Sequence, residues 1–271
     1  MNKKVSAKFI KLGFHSFHIV DQSPWPIILS VGVMTSISNT FILYLSDCNF
    51  MGAVTSWIAT CTCAALWWRD VIRESFFQGF HSHSVMAGLS MGFILFIASE
   101  VMFFMSFFWS FFYVSLNPDI ECGSVWPPAG VQSLSAFNVP LLNSILLISS
   151  GVSITWAHHA LVMSNMKETA VGLGITLMLG LTFSVVQSFE YLHTSFSMAD
   201  SVYGSVFFLT TGFHGIHVLV GSMFITVSLC RTILGQFSCN HHVGFEFSAW
   251  YWHFVDVVWL FLFISMYWWG S

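Results

Sequence analysis

Charged side chains are scarce in this sequence, and their scarcity excludes most classes of soluble protein. Only 7% of the 271 residues are Asp, Glu, Lys or Arg, whereas 56% are hydrophobic. A soluble domain carries about 25% charged residues, so this chain lacks the polar side chains that would cover a water-facing surface. The composition therefore predicts an integral membrane protein.

Several motifs that carry catalysis or ligand binding are also missing. The sequence has no phosphate-binding glycine loop, no nucleophile elbow and no basic surface for nucleic acid. Its six cysteines form no CxxC, and Cys61 and Cys63 fall on nearly opposite sides of a predicted helix. His214-Gly-Ile-His217 lacks the glutamate of an HExxH motif. We therefore expect no catalytic residue and no metal ligand set in this chain.

Instead, the sequence contains long apolar segments with at most one acidic residue each. Each is long enough to cross a bilayer as a helix, and no linker, repeat or low-complexity tract interrupts them. We predict an all-α polytopic membrane protein with a single domain over residues 1–271. Its seven transmembrane helices are predicted at about 26–45, 51–68, 84–116, 140–163, 171–189, 201–229 and 247–269.

The basic residues predict how the helices are oriented. With seven spans, all eight fall on the N-terminal side of the membrane, which is the positive-inside pattern. The N-terminal segment has no cleavage-type hydrophobic region, so we do not expect it to be a signal peptide. The eight residues are Lys3, Lys4, Lys8, Lys11, Arg69, Arg73, Lys167 and Arg231.

A few ionisable residues fall inside the predicted spans and are the candidates for chemistry. Glu100 lies near the middle of residues 84–116. An ionised carboxylate is costly at that depth, so Glu100 is expected either to be protonated or to have a function there. His253 and Asp256 are three residues apart on helix 7, so they share a face and one can hydrogen-bond the other. Structural and proton-handling roles are both open for these three residues. His214 lies near the depth of His253, which leaves a b-type haem pair as an alternative.

Several blocks of sequence are too long and distinctive to be chance matches. They are WWRDVIRESFFQG (67–79), ILFIASEVMFFMSFFW (94–109), VWPPAGV (125–131), VPLLNSILLISSGVSITWAHHAL (139–161), VYGSVFFLTTGFHGIHVLVG (202–221) and NHHVGFEFSAWYWHFVDVVWLFLFISMYWWGS (240–271). These blocks resemble subunit III of the haem–copper cytochrome c oxidases, in its mitochondrial form. The resemblance covers nearly the whole chain from about Ser23 onward.

The resemblance implies a non-catalytic subunit of a proton-translocating oxidoreductase. It implies two bundles, helices 1–2 and helices 3–7, separated by a V-shaped cleft that holds structural phospholipids. Haem a, haem a3 and copper belong to partner subunits, and the implied partners are subunits I and II, accessory subunits and, through the complex, cytochrome c. The implied location is the mitochondrial inner membrane, with the N-terminus in the matrix and the C-terminus in the intermembrane space.

The resemblance also implies roles for particular residues. Glu100 matches the carbodiimide-reactive acid of the family, and Arg231 matches a basic residue near a second lipid site. Leu234 and Gln236 replace further basic residues of that second site, which weakens it. The family's cleft-lipid residues fall on Trp68, Arg73, Glu74 and His81.

Three other functions compete with this interpretation. Subunit III of a quinol oxidase is the nearest, although that family commonly lacks the first two helices. A b-type haem electron carrier would bind haem in the isolated chain. A transporter usually shows broken helices or inverted halves, and the sequence shows neither.

Overall fold

The computed structural model describes residues 16–46, 50–118, 120 and 123–271, and these fold into seven long α-helices. All seven are long and apolar enough to cross a membrane, and the described residues contain no strand beyond one isolated bridge between Ser238 and His241. The predicted all-α class with seven spans is confirmed. The helices are α1 (Trp25–Ser46), α2 (Phe50–Phe76), α3 (His83–Leu116), α4 (Val139–Val162), α5 (Met166–His193), α6 (Val202–Ile233) and α7 (Val243–Leu262), and α7 continues as a π-helical turn over Phe263–Trp269.

The observed helices run further at their polar ends than the apolar segments do. α2 continues about two turns past Trp68 and ends before Gly79, whose φ of +65° is a left-handed conformation that favours glycine. α5 begins at Met166, where the side chain of Asn165 accepts a hydrogen bond from the backbone N–H of Glu168 (3.4 Å). The charged residues Arg69, Asp70 and Arg73 do not end α2, because its backbone hydrogen bonds continue past them.

The structure divides into two compact units, Met1–Leu89 and Ser90–Ser271. In the described part of the first unit, α1 packs on α2 through small and polar side chains. The Ser36 and Thr60 hydroxyls are 2.8 Å apart and buried, and Trp57 Nε1 donates to Thr40 Oγ1 (2.9 Å). Such hydrogen bonds join helices where lipid supplies no hydrophobic driving force.

In the second unit, α7 is the most buried helix. Within an 18-residue apolar stretch of each helix, 56% of the residues of α7 are buried, against 39% for α4 and 33% for both α5 and α6. Two fully buried tryptophans of α7 are anchored to serines of α4: Trp252 Nε1 donates to Ser150 (2.8 Å) and Trp259 Nε1 donates to Ser144 (3.0 Å). The ring of Trp252 occupies the space that a side chain at Gly180 would fill.

From Ser90 onward, α3 contacts α6 and α7 mainly through phenylalanine rings. Phe93 stacks on Phe247 with centroids 4.5 Å apart, and Phe103 meets Phe213 edge to face at 5.2 Å. The boundary between the two units falls within α3. The division into helices 1–2 and 3–7, the lipid-filled cleft and the single-domain organisation stay predictions.

Candidate functional site

The carboxylate of Glu100 is paired with a histidine of α6. His217 Nε2 lies 3.0 Å from Glu100 Oε2, and both side chains are largely buried, with 12% of His217 and 23% of Glu100 exposed. The other ring nitrogen, His217 Nδ1, lies 2.7 Å from the backbone carbonyl oxygen of Phe213. The acid at the centre of α3 thus has a specific interhelical partner.

These two contacts determine how many protons the pair holds. A carbonyl oxygen only accepts hydrogen bonds, so His217 Nδ1 carries a hydrogen and donates it to Phe213. The 3.0 Å contact then requires one more proton, either on the carboxyl of Glu100 or on Nε2 of an imidazolium. The Glu100–His217 contact therefore contains one proton, near the middle of two membrane-spanning helices.

Aromatic rings surround this pair. The imidazole of His217 meets Phe104 edge to face, with centroids 4.9 Å apart, and lies parallel to Tyr251 at 6.3 Å. The sequence analysis named Glu100 as an ionisable residue inside a span and His217 only as part of His214-Gly-Ile-His217, and it did not pair them. Their positions were the available signal, because each lies near the middle of a helix of similar length, α3 with 34 residues and α6 with 32.

His253 and Asp256 lie on one face of α7 but at a distance longer than a hydrogen bond. His253 Nδ1 is 4.0 Å from Asp256 Oδ2, and His253 Nε2 is 3.4 Å from Thr155 Oγ1 on α4. Asp256 Oδ1 is buried without a hydrogen-bond partner among the described residues. Gly151 of α4 leaves the space that the Asp256 carboxylate occupies.

His214, the other histidine considered for a haem pair, is engaged in the core. Its side chain is 1% exposed, and Nε2 lies 3.2 Å from the carbonyl oxygen of Val255, to which it can only donate. Its ring also packs edge to face against Phe183. The nitrogen that would ligate haem is committed to the backbone, which disfavours the b-type haem interpretation.

A second buried acid, Glu190, belongs to a polar network near the C-terminal end of α5. Its Oε1 accepts a hydrogen bond from Tyr267 (2.7 Å), and Gln187 Nε2 donates to the same phenolic oxygen (3.3 Å). Asn143 of α4 in turn donates to Gln187 (3.1 Å). This network joins α4 and α5 to the C-terminal turn and has an evident packing role.

At the basic end of α2, Asp70 organises the arginines. Asp70 Oδ1 accepts two hydrogen bonds from Arg69, at 3.1 Å from Nε and 2.9 Å from Nη2. Its Oδ2 accepts one from Trp25 Nε1 of α1 (2.7 Å). Sequence reasoning did not assign Asp70 a role, although its place beside Arg69 was visible. Asp70 neutralises Arg69 and connects the two helices.

The four residues matched to the family's cleft-lipid site all lie in the first unit. Arg73 reaches Asp70 only at 4.0 Å, and 57% of its side chain is exposed. Trp68 is also exposed, at 67%, whereas Glu74 and His81 are half-buried. The ring of His81 lies 6.3 Å from that of His18. Of the two arginines of α2, Arg73 thus makes the weaker contact with Asp70.

Arg231, assigned to the second lipid site, is partly buried within its own unit. Its guanidinium carbon lies 4.3 Å from the centre of the Phe237 ring, and Nε donates to Gln236 Oε1 at 3.3 Å. Gln236 and Phe237 therefore hold the Arg231 guanidinium in place.

These features define a polytopic α-helical membrane protein in which Glu100 and His214 have hydrogen-bond partners on neighbouring helices. Residues 15–271 match the family described as cytochrome c oxidase subunit III. The chain is 52% identical to cytochrome c oxidase subunit 3 of Drosophila melanogaster, over 95% of this chain and 98% of the relative. It is 51% identical to that of the tick Rhipicephalus sanguineus, over 94% and 99%, and 50% identical to that of the quail Coturnix japonica, over 95% and 98%. The chain belongs to the cytochrome c oxidase subunit III family.

Proposed function

We propose that this chain is the non-catalytic subunit III of a mitochondrial cytochrome c oxidase. It stabilises the catalytic subunit, which reduces O2 with electrons from cytochrome c and contains the haem a, haem a3 and copper. The observation that supports this proposal most directly is the family match over residues 15–271. The partners are subunits I and II and the accessory subunits. Because α1 and α2 are both present, the chain also differs from the quinol oxidase subunits that lack them.

The proposed location is the mitochondrial inner membrane, with the N-terminus in the matrix. The support is the one-sided distribution of the basic residues. In this orientation Arg73 and Arg231 lie at the matrix boundary, and the loop between α3 and α4 faces the intermembrane space.

Phospholipid binding is proposed at the matrix end of α2. Arg73 presents a half-exposed guanidinium. Trp68, Glu74 and His81 lie nearby in sequence, and the indole of Trp68 is exposed. A guanidinium binds phosphate through two parallel hydrogen bonds. Arg69 is less available for this role, because Asp70 already accepts two of its hydrogen bonds.

The Glu100–His217 pair is proposed to modulate proton supply, with no part in O2 reduction itself. Glutamine in place of Glu100 keeps the size of the side chain and can donate to His217 Nε2, but it cannot hold the shared proton. We expect Glu100→Gln to retain O2 reduction within about twofold and to lower the proton-to-electron ratio in reconstituted vesicles under load. Loss of O2 reduction would contradict this role. An unchanged ratio would assign the pair to packing alone.

Native mass spectrometry of the detergent-extracted complex tests the assignment as a whole. We expect this chain to be released together with subunits I and II and with retained phospholipid. Haem a spectra of the same preparation identify the catalytic partner. If the chain is extracted without a haem–copper subunit, the proposal is wrong.

A further inference from the structure

Two histidines and a glutamate converge where α4 ends and α7 begins. His158 lies in the last two turns of α4, His242 directly precedes α7, and Glu246 is in the first turn of α7. One ligand atom from each lies within 4.8 Å of the other two. His242 Nε2 and Glu246 Oε1 are 3.4 Å apart. Ligand atoms around a tetrahedral zinc are also about 3.4 Å apart, given bonds of about 2.0–2.1 Å.

The ring of His242 is oriented as a metal-binding histidine usually is. Its Nδ1 lies 3.0 Å from the carbonyl oxygen of Ser238 and must donate to it. The isolated bridge between Ser238 and His241 holds that carbonyl in place. Nε2 is therefore the nitrogen that faces the carboxylate of Glu246. A second-shell hydrogen bond of this kind sets the tautomer of metal-binding histidines.

This arrangement brings two electron-pair donors together and requires a cation between them. Neutral Nε2 and an ionised carboxylate oxygen repel each other at 3.4 Å unless a proton or a metal ion lies between them. His158 is the third donor, and its ring stacks on Phe245 with centroids 5.6 Å apart and meets His242 edge to face at 5.7 Å. A proton satisfies His242 and Glu246 alone, whereas a metal ion uses all three residues.

The donor set favours zinc over harder cations. Two imidazoles and one carboxylate suit Zn²⁺, whereas Mg²⁺ and Ca²⁺ prefer oxygen ligands alone. His158 and Glu246 are partly exposed, which leaves a route for the ion and a fourth position for water. The nearby Arg231 is occupied by Gln236 and Phe237. We propose that His158, His242 and Glu246 bind one Zn²⁺, which links the end of α4 to the start of α7.

This inference departs from the sequence analysis, which expected no metal ligand set. His158 and His242 are 84 positions apart, and nothing in their local spacing resembles a zinc motif. The ion would act as a clamp rather than a catalyst, because it fastens the first turn of the most buried helix to its neighbour α4.

The test measures zinc retained by the detergent-purified complex that contains this chain. Samples are stripped with a chelator, equilibrated with ZnCl2 at buffered free concentrations and analysed for zinc per copy of the chain, with the zinc present before addition subtracted. The test variants are His158→Asn, His242→Asn and Glu246→Gln. His241→Asn is the matched control, because its exposed side chain neighbours His242 but lies outside the cluster.

We expect one added zinc per chain in the wild type and in His241→Asn, and at least tenfold weaker binding in each ligand variant. X-ray absorption at the zinc edge of the wild type, as the difference between loaded and stripped samples, should show only nitrogen and oxygen neighbours, with imidazole among them. This measurement does not depend on whether a variant assembles. If the wild type takes up no added zinc, or the ligand variants bind it as His241→Asn does, a proton fills the gap and the proposal is overturned.

Discussion

The carboxyl of Glu100 depends on a partner 117 positions further along the chain. At the scale of single residues, this pair shows how an acid is accommodated within a membrane. His217 is oriented by the carbonyl of Phe213, so its 3.0 Å contact with the carboxyl of Glu100 requires one proton. Removal of either member leaves a largely buried polar group without its partner, whereas removal of both does not.

A double-mutant cycle should therefore be strongly non-additive. We expect Glu100→Leu or His217→Leu alone to destabilise the chain by about 1–3 kcal/mol, the usual cost of an orphaned buried polar group. The double substitution should recover most of that loss, because two apolar side chains replace a matched pair. The measurement is the thermal denaturation midpoint of the detergent-solubilised complex. Additive effects would mean that the pair is not energetically coupled.

We expect phospholipid binding to depend on Arg73 but not on Arg69. We expect Arg73→Ala to lose phospholipid from the purified complex and Arg73→Lys to recover only part of it, because an ammonium cannot form the paired contacts. Arg69→Ala is the control, since Asp70 already binds that guanidinium. The measurement is phospholipid phosphorus per complex, with haem spectra unchanged. Equal losses in Arg69→Ala and Arg73→Ala would remove the special role of Arg73.

At the scale of helices, α5 and α7 approach each other at positions where only glycine fits. A Cβ built on Gly180 would lie 2.5 Å from the ring of Trp252. That ring is fully buried, and its Nε1 donates to Ser150 of α4. The ring therefore cannot move aside without breaking a hydrogen bond, so the distance between these helices depends on Gly180.

Two alanine substitutions on α5 test this close approach. We expect Gly180→Ala to destabilise the bundle by about 1–3 kcal/mol, as overpacking of a filled core does. Gly174→Ala is the matched control, because nothing lies within 4 Å of a Cβ built there, and it should be neutral or slightly stabilising. Thermal denaturation of the complex measures both. A neutral Gly180→Ala would show that the helices can separate at little cost.

At the scale of the whole molecule, the distribution of basic residues between the two sides of the membrane predicts the orientation of the chain. Seven spans place all eight basic residues on one side, and the number of spans agrees between the sequence and the structure. A chain with one span more or fewer would scatter those residues over both sides. The helix count and the charge distribution therefore support each other.

Protease treatment of mitoplasts checks the resulting orientation. With the outer membrane opened, we expect cleavage in the loop at residues 117–138 and protection of the Lys167 loop between α4 and α5. The reason is that positive charges are retained on the side from which the helices insert. After the inner membrane is permeabilised, the Lys167 loop should become accessible as well. Cleavage at Lys167 before permeabilisation would contradict the orientation.

The sequence alone determined the helix count and the position of Glu100 near the middle of α3, because lipid demands long apolar runs and makes every charge within them conspicuous. The orientation in the membrane stays a prediction. The helix ends were less predictable: α2 continues past Arg69 and Asp70, since charge at a membrane boundary does not stop a helix. The tertiary structure decided which ionisable groups meet. The pairing of Glu100 with His217, and the convergence of His158 with His242 and Glu246, depend on how each helix is rotated and at what height it packs. The spacing of residues along the chain specifies neither the rotation of a helix nor the height at which it packs.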